Sequence, residues 1–140
     1  MDKSVVDAVK QSFGRALGNR NLMADFYNQL ITASPEIGKK FSKTDLEKQK
    51  EILQMSLSMA ILFPQDNVVA THAMDKVRDS HNKDNLDIKP EYYDYWLNSL
   101  ITVVSTSDPS FTPELEQHWR TTMRHAINHI TSGYMPAAES

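Results

Sequence analysis

The chain has five histidines and no cysteine with which to hold a metal. Placed at about 100° per residue, the histidines separate into two kinds. His81 closes the stretch "VVATHAMDKVRDSH" (68–81) inside the arc of Val69, Ala70, Ala73, Met74 and Val77. His72 falls on the opposite side, with Asp75 and Asp79. His118, His125 and His129 share a stripe of a later helix, about 120° from the apolar centre set by Trp119, Met123, Ile127 and Ile130. His125 and His129 are four residues apart, a spacing that can hold a divalent metal. With no carboxylate obviously placed to complete a site, that stripe reads as a solvated face. His81 is different. An inward imidazole needs a partner for at least one ring nitrogen, and either a core carbonyl or a metal serves.

Two more inward polar groups sit on other helices. "EKQKEILQMSLSMAI" (47–61) carries Gln49, Leu53, Ser56 and Ala60 down the middle of its apolar face. A close-packed core would put bulk there. The stripe fits either a tight helix crossing or a shelf under a flat ligand, with Gln49 reaching over it. Tyr27 lies on the apolar arc of its helix with Leu22, Met23, Phe26 and Leu30, and its hydroxyl wants a partner or water. Together the three signals fit one geometry: a flat apolar ligand between helices, its metal held by His81, with Tyr27 and Gln49 facing the metal's free side.

The elements that must position these groups follow from start signals and periodicity. Helices are expected over roughly 4–17, with Val5, Val9, Phe13 and Leu17 on one stripe, and over 21–33. A short one opens at Ser34-Pro35, proline suiting the first helical position, and ends near Phe41. Thr44 is expected to cap a long helix to about Leu62, with Ile52 and Met59 also on its apolar face. "FPQDN" breaks it. Further helices run over about 67–81, from Pro90 to about 105, and from Thr112-Pro113 to about Gly133. The result is an all-α domain of seven helices over 1–134, with a frayed tail at 135–140.

Composition sets limits. The chain has 140 residues, the length of one domain. A chain of this size buries about 70% of its unfolded surface, enough to enclose a cofactor. Net charge is −3 without a basic block, which argues against nucleic acid. Without cysteine, disulfides, thiol catalysis and iron–sulfur clusters are excluded. No apolar run is long enough for a membrane span and no signal peptide is apparent, so a cytoplasmic location is expected.

At this point the sequence resembles a globin, most of all bacterial single-domain haemoglobins and the haem domain of flavohaemoglobins. "FYNQLITASPEIGKKF" (26–41) resembles that group's second and third helices, ending in Phe41, the aromatic that stacks on the haem. Residues 47–61 resemble its distal helix, with Gln49 at the distal position and Leu53 one turn later. "DKVRDSHNKDNLDIKPEYYDYWLNSLI" (75–101) resembles the proximal helix, corner and following helix, and "HWRTTMRHAINHITSGY" (118–134) the last. The resemblance implies a globin fold around a haem pocket, haem b held non-covalently, and His81 as iron ligand. Phe41, Leu53, Val77 and Tyr93 would wall the pocket, and Tyr27 and Gln49 would donate to a bound gas.

The sequence departs from the group's pattern in three places. The common short fourth helix is absent between Phe41 and Thr44. The corner after His81 is about a residue longer than usual, leaving Tyr92 and Tyr93 as rivals for the proximal position, with Tyr93 favoured. Tyr134 stands where a glutamate often supports the proximal histidine, which weakens the case for chemistry needing strong electron push. Arg78 and Lys83 are possible partners of the haem propionates. The expected function is reversible binding of dioxygen or another diatomic gas, NO or CO. Alternatives are nitric oxide dioxygenase activity with a separate reductase, a gas sensor acting through a partner, and a globin-like fold without haem, against which His81 and the polar distal pair argue.

Overall fold

The computed structural model describes residues 1–135, and the remainder of the tail at 135–140 lies outside the described residues. The described residues form seven α-helices and no strand: α1 Lys3–Ala16, α2 Leu22–Ala33, α3 Pro35–Lys40, α4 Leu46–Leu62, α5 Val68–His81, α6 Tyr92–Ser107 and α7 Pro113–Thr131. A 3-10 turn, Phe63–Gln65, joins α4 to α5. Between α3 and α4 the chain makes only turns.

Local chemistry sets most helix ends. Asp2 caps α1 by accepting from the Ser4 amide, and Thr112 caps α7 by accepting from the Leu115 amide, with Pro113 in the first turn. Ser34 caps α3 ahead of Pro35. The cap of α4 is Asp45 rather than Thr44: its carboxylate accepts from the Glu47 and Lys48 amides. A carboxylate is the better acceptor for these free N–H groups, and its charge suits the positive end of the helix. Pro64 and the left-handed Asp66 (φ 55°) stop α4 and turn the chain, and Asn67 caps α5. Pro90 does not open α6. It lies in a turn in which the Tyr92 amide donates to the Lys89 carbonyl and the Tyr93 amide to that of Pro90, and the α-helix follows from Tyr92.

Helix α1 packs against α7, α4 and α6, α2 packs on α6, and α5 lies against α4 and α7. Phe26, Leu57, Ile61, Met74, Leu97, Leu100, Trp119 and Met123 fill the centre. Two expected faces are rotated. On α1, Val6, Val9, Ser12, Phe13 and Ala16 are buried, whereas Val5 and Leu17 are only half-buried. On α5, Val69 is 67% exposed and the inward face narrows to Ala70 and Met74, flanked by half-buried Ala73 and Val77. Val68 and Val69, at the start of α5, stand in water directly after the exposed Asp66–Asn67 corner.

The burial of Ser12 has a clear cause. Its hydroxyl donates to Asp108 Oδ2 at 2.6 Å and accepts from Trp119 Nε1 at 2.9 Å. Arg15 completes the carboxylate's shell, Nε to Oδ1 at 2.7 Å and Nη2 to Oδ2 at 3.0 Å. One buried carboxylate thereby ties α1, the α6–α7 corner and α7 together.

The Arg15 hydrogen bonds hold the Asp108 carboxyl down at about 2, below the ordinary aspartate value of about 3.9. A depressed folded-state value adds stability that is complete above the unfolded value and is lost as pH falls through the folded one. Asp108→Asn is expected to lower the melting temperature near neutral pH by roughly 4–8 °C. The difference from the parent should shrink as pH falls from about 4 toward about 2. Thermal unfolding followed by circular dichroism across that range checks this; a pH-independent difference would mean that the charge of Asp108 is immaterial.

Candidate functional site

The helices enclose a cavity of about 710 Å³, within the range of about 300–1,000 Å³ typical of cofactor sites. Tyr27, Phe41, Gln49, Leu53, Val77, His81 and Tyr93 all border it. So do Ser56 and Ala60, so the small and polar stripe of α4 faces open space rather than a tight helix crossing.

His81 occupies the last turn of α5. Its Nδ1 lies 2.9 Å from Ser80 Oγ, and that hydroxyl donates to the Val77 carbonyl at 3.0 Å. A serine hydroxyl has one proton to give. With that proton on the Val77 carbonyl, Ser80 accepts from His81 and Nδ1 carries the imidazole proton. No hydrogen bond among the described residues engages Nε2, which is left with a free lone pair. Burial pushes the His81 pKa below its ordinary value, an effect partly offset by the Val77 carbonyl. The ring is therefore held neutral, in the tautomer a metal ligand requires. His72, by contrast, is exposed.

Across the cavity, Tyr27 is 4% exposed and is held edge-on between Phe26 and Phe41, at ring-centre distances of 5.2 and 5.4 Å. Its hydroxyl donates to the backbone carbonyl of Gln49 at 3.4 Å, not to the side-chain amide. A bond that long is at the weak limit, and the proton is easily redirected. Burial raises the Tyr27 pKa to about 12, so the hydroxyl stays protonated near neutrality. Gln49 is half-buried, and no hydrogen bond engages its amide among the described residues.

The long corner resolves the two tyrosines. Tyr92 and Tyr93 both border the cavity, but Tyr92 donates to Glu36 Oε2 at 2.9 Å. The Tyr93 hydroxyl is buried and has no partner among the described residues, and burial raises its pKa. Tyr134 does not support His81: its hydroxyl donates to Asp87 Oδ1 at 2.6 Å. Asp87 is left-handed (φ 51°), its amide donates to the Asn82 carbonyl, and the Lys83 amide donates to the Tyr134 carbonyl at 2.8 Å. The loop after His81 is thus folded on itself and clasped to the end of α7.

Some groups lie elsewhere than expected. Arg78 does not border the cavity and pairs with Asp79 at 3.0 Å and Asp75 at 3.4 Å, and Lys83 is exposed away from it. His129 is not simply solvated. It is half-buried, its Nε2 lies 2.6 Å from Asp75 Oδ1, and its ring rests on Phe63. No group of three potential ligands that could hold a bare metal ion occurs among the described residues. Lys40, Lys76 and Trp96 border the cavity although nothing in the sequence pointed to them. Lys76 is about 140° around the helix from His81, so periodicity places it off the inward face.

A family model for globins matches residues 24–130. The fold is similar to that of a Pseudomonas aeruginosa PAO1 protein whose crystal structure is described as structurally highly homologous to a human hemoglobin. The two are 32% identical with a TM-score of 0.88, over 93% of this chain and 98% of that one. A comparison with curated proteins gives no match. This all-helical chain belongs to the globin family, and as such it is a haem-binding protein. The site fits such a group: an apolar slot, an unprotonated histidine nitrogen, and at Tyr93 a buried hydroxyl whose missing partner an occupant can supply. No helix among the described residues is long and apolar enough to cross a membrane.

The orphaned hydroxyl gives opposite signs with and without ligand. A buried unsatisfied donor costs about 1–3 kcal/mol, so Tyr93→Phe should stabilise the haem-free protein by about 1 kcal/mol in urea denaturation. If the occupant satisfies that hydroxyl, the same substitution should speed haem transfer to excess apomyoglobin. An unchanged transfer rate would show that the occupant leaves Tyr93 unpartnered.

Proposed function

We propose that this globin holds one haem b per chain without a covalent link and binds dioxygen or another diatomic gas reversibly. The observation that carries this reading is the place of His81 on the cavity wall, with no hydrogen bond among the described residues engaging its Nε2, which is thereby available to an iron in the cavity. When bound, haem supplies an iron with one open position at which a small gas binds. Every other part of the function belongs to the chain. His81 holds the metal from one side. Phe41, Leu53 and Val77 provide apolar walls that exclude water. Tyr27 offers a protonated hydroxyl, and the Gln49 amide has no competing partner. Ser80, a neutral acceptor, orients His81 and leaves it a less electron-rich ligand than a carboxylate would. That favours reversible binding over dioxygenase chemistry with a separate reductase. Sustained NO consumption over many turnovers with an electron donor would reverse this preference. A cytoplasmic location agrees with the absence of cysteine and belongs to the same proposal.

Two sets of variants test the reading. His81→Ala should lose most haem affinity or its normal absorption spectrum, while His72→Ala, altered on the exposed face, should keep both. Equal behaviour of the two would remove His81 as the ligand.

A bound gas that draws partial negative charge would accept a hydrogen bond from Tyr27, and a hydrogen bond to a charged acceptor contributes about 1.5–3 kcal/mol, or roughly 10- to 150-fold. Tyr27→Phe should speed dioxygen release by about that factor and change carbon monoxide release far less. Gln49→Leu should act in the same direction but more weakly, because the contact to Tyr27 uses the Gln49 backbone, which the substitution keeps. The double variant should show less than the product of the two effects. Stopped-flow dissociation of both gases is the measurement, and dioxygen release unchanged in Tyr27→Phe would reduce that residue to a core tyrosine.

A further inference from the structure

The cavity is bordered by two basic side chains and by no carboxylate, although the chain as a whole carries a net charge of −3. The two are Lys40, at the end of α3, and Lys76, in α5; both are exposed and so lie at the rim. Between them stands Leu86 of the loop after His81, which also borders the cavity and is itself exposed. Lys40 Nζ donates to the Leu86 carbonyl at 3.3 Å, across the rim from α3 to that loop. Lys76, Ser80 and Leu86 also border a second depression, whose far side is formed by Asp79 and Asn85. Neither ammonium is paired with a carboxylate among the described residues, whereas Arg78, nearby on α5, is paired twice.

We propose that Lys40 and Lys76 form a two-point anion clamp, which sets the orientation of a flat apolar ligand by the carboxylates along one of its edges. The clamp rests on the haem reading above, since haem b carries two propionates on one edge. The physical basis is the distribution of charge. An apolar slot receives a planar ring equally well in several rotations, and charge placed at one side of the rim selects among them. An ammonium has three protons to donate. Lys40 can keep the Leu86 carbonyl with one and meet a carboxylate with another, so binding an anion need not release the loop that follows His81. At a solvent-exposed rim each contact is worth little, about two- to fivefold in affinity, and it weakens with salt.

The test uses metal-free protoporphyrin IX and its dimethyl ester, which differ in carboxylate charge and do not need His81. Fluorescence titration of the haem-free full chain should show tighter binding of the free acid than of the ester at low ionic strength, and less difference at high. Lys40→Met and Lys76→Met should each weaken free-acid binding about two- to fivefold and leave ester binding unchanged, and Lys83→Met, off the cavity, should change neither. Circular dichroism of each variant separates misfolding from lost contacts. Equal free-acid affinity in the parent and the Lys40→Met/Lys76→Met double variant would overturn the clamp, as would an equal loss for the ester. In either case porphyrin binding by the parent would leave the haem reading standing. If the parent binds neither porphyrin, the haem reading fails and the clamp with it.

Discussion

The carboxylate of Asp108, held by Arg15, Ser12 and Trp119, is the contact on which the open half of this molecule depends. A cavity is a deficit of packing: the atoms lining it lack neighbours on one side and forgo their dispersion contacts. A small domain tolerates that only if the rest of it is firmly joined. Here the joining falls where α1, α7 and the α6–α7 corner meet, around Trp119, which is fully buried. None of the four residues of this network borders the cavity. The chain therefore divides its labour, with dense polar and aromatic locking in one region and an apolar slot in another.

The slot owes its chemistry to what is left unpaired. At His81, Ser80 lies against Nδ1, and no hydrogen bond among the described residues engages the other nitrogen. At Tyr27 the hydroxyl makes a long bond that is easily exchanged, and at Tyr93 it makes none to the described residues. At the rim two lysines make no ion pair among the described residues. Buried polar groups ordinarily find partners. At His81, Tyr27 and Tyr93 unspent bonding capacity faces one cavity, which is a more specific sign of an occupant than the cavity's size alone.

Periodicity made the helices and the facing of His81 readable, because 100° per residue places a side chain without any knowledge of its neighbours. It identified the shelf on α4 for the same reason: small residues in the middle of an apolar face are visible in one dimension. It failed where placement depends on something remote. Val69 has the right phase but stands in water after the exposed Asp66–Asn67 corner, and Ser12 is buried only because Asp108, far along the chain, needs a donor. The pairing of His129 with Asp75 depends on how α7 crosses α5, and Lys40 reaches the rim by a bond to a loop 46 residues away. Tyr92 and Tyr93 are neighbours in sequence, and only the partner of one, Glu36 on another helix, tells them apart.

The clasp between the loop after His81 and Tyr134 bears on the order in which the protein matures. A chain is made from its N-terminus, and folding during synthesis proceeds in that order. His81 and the whole of α5 leave the ribosome well before α7. Until α7 follows, Asp87 has no Tyr134 to meet and the Lys83 amide has no carbonyl to receive it. Ser80 can already orient the histidine within α5 at that stage, while the loop beyond it is not yet clasped. The cavity itself is complete only once α7 has been made, because Met123, Ala126, Ile127 and Ile130 of that helix form part of its wall.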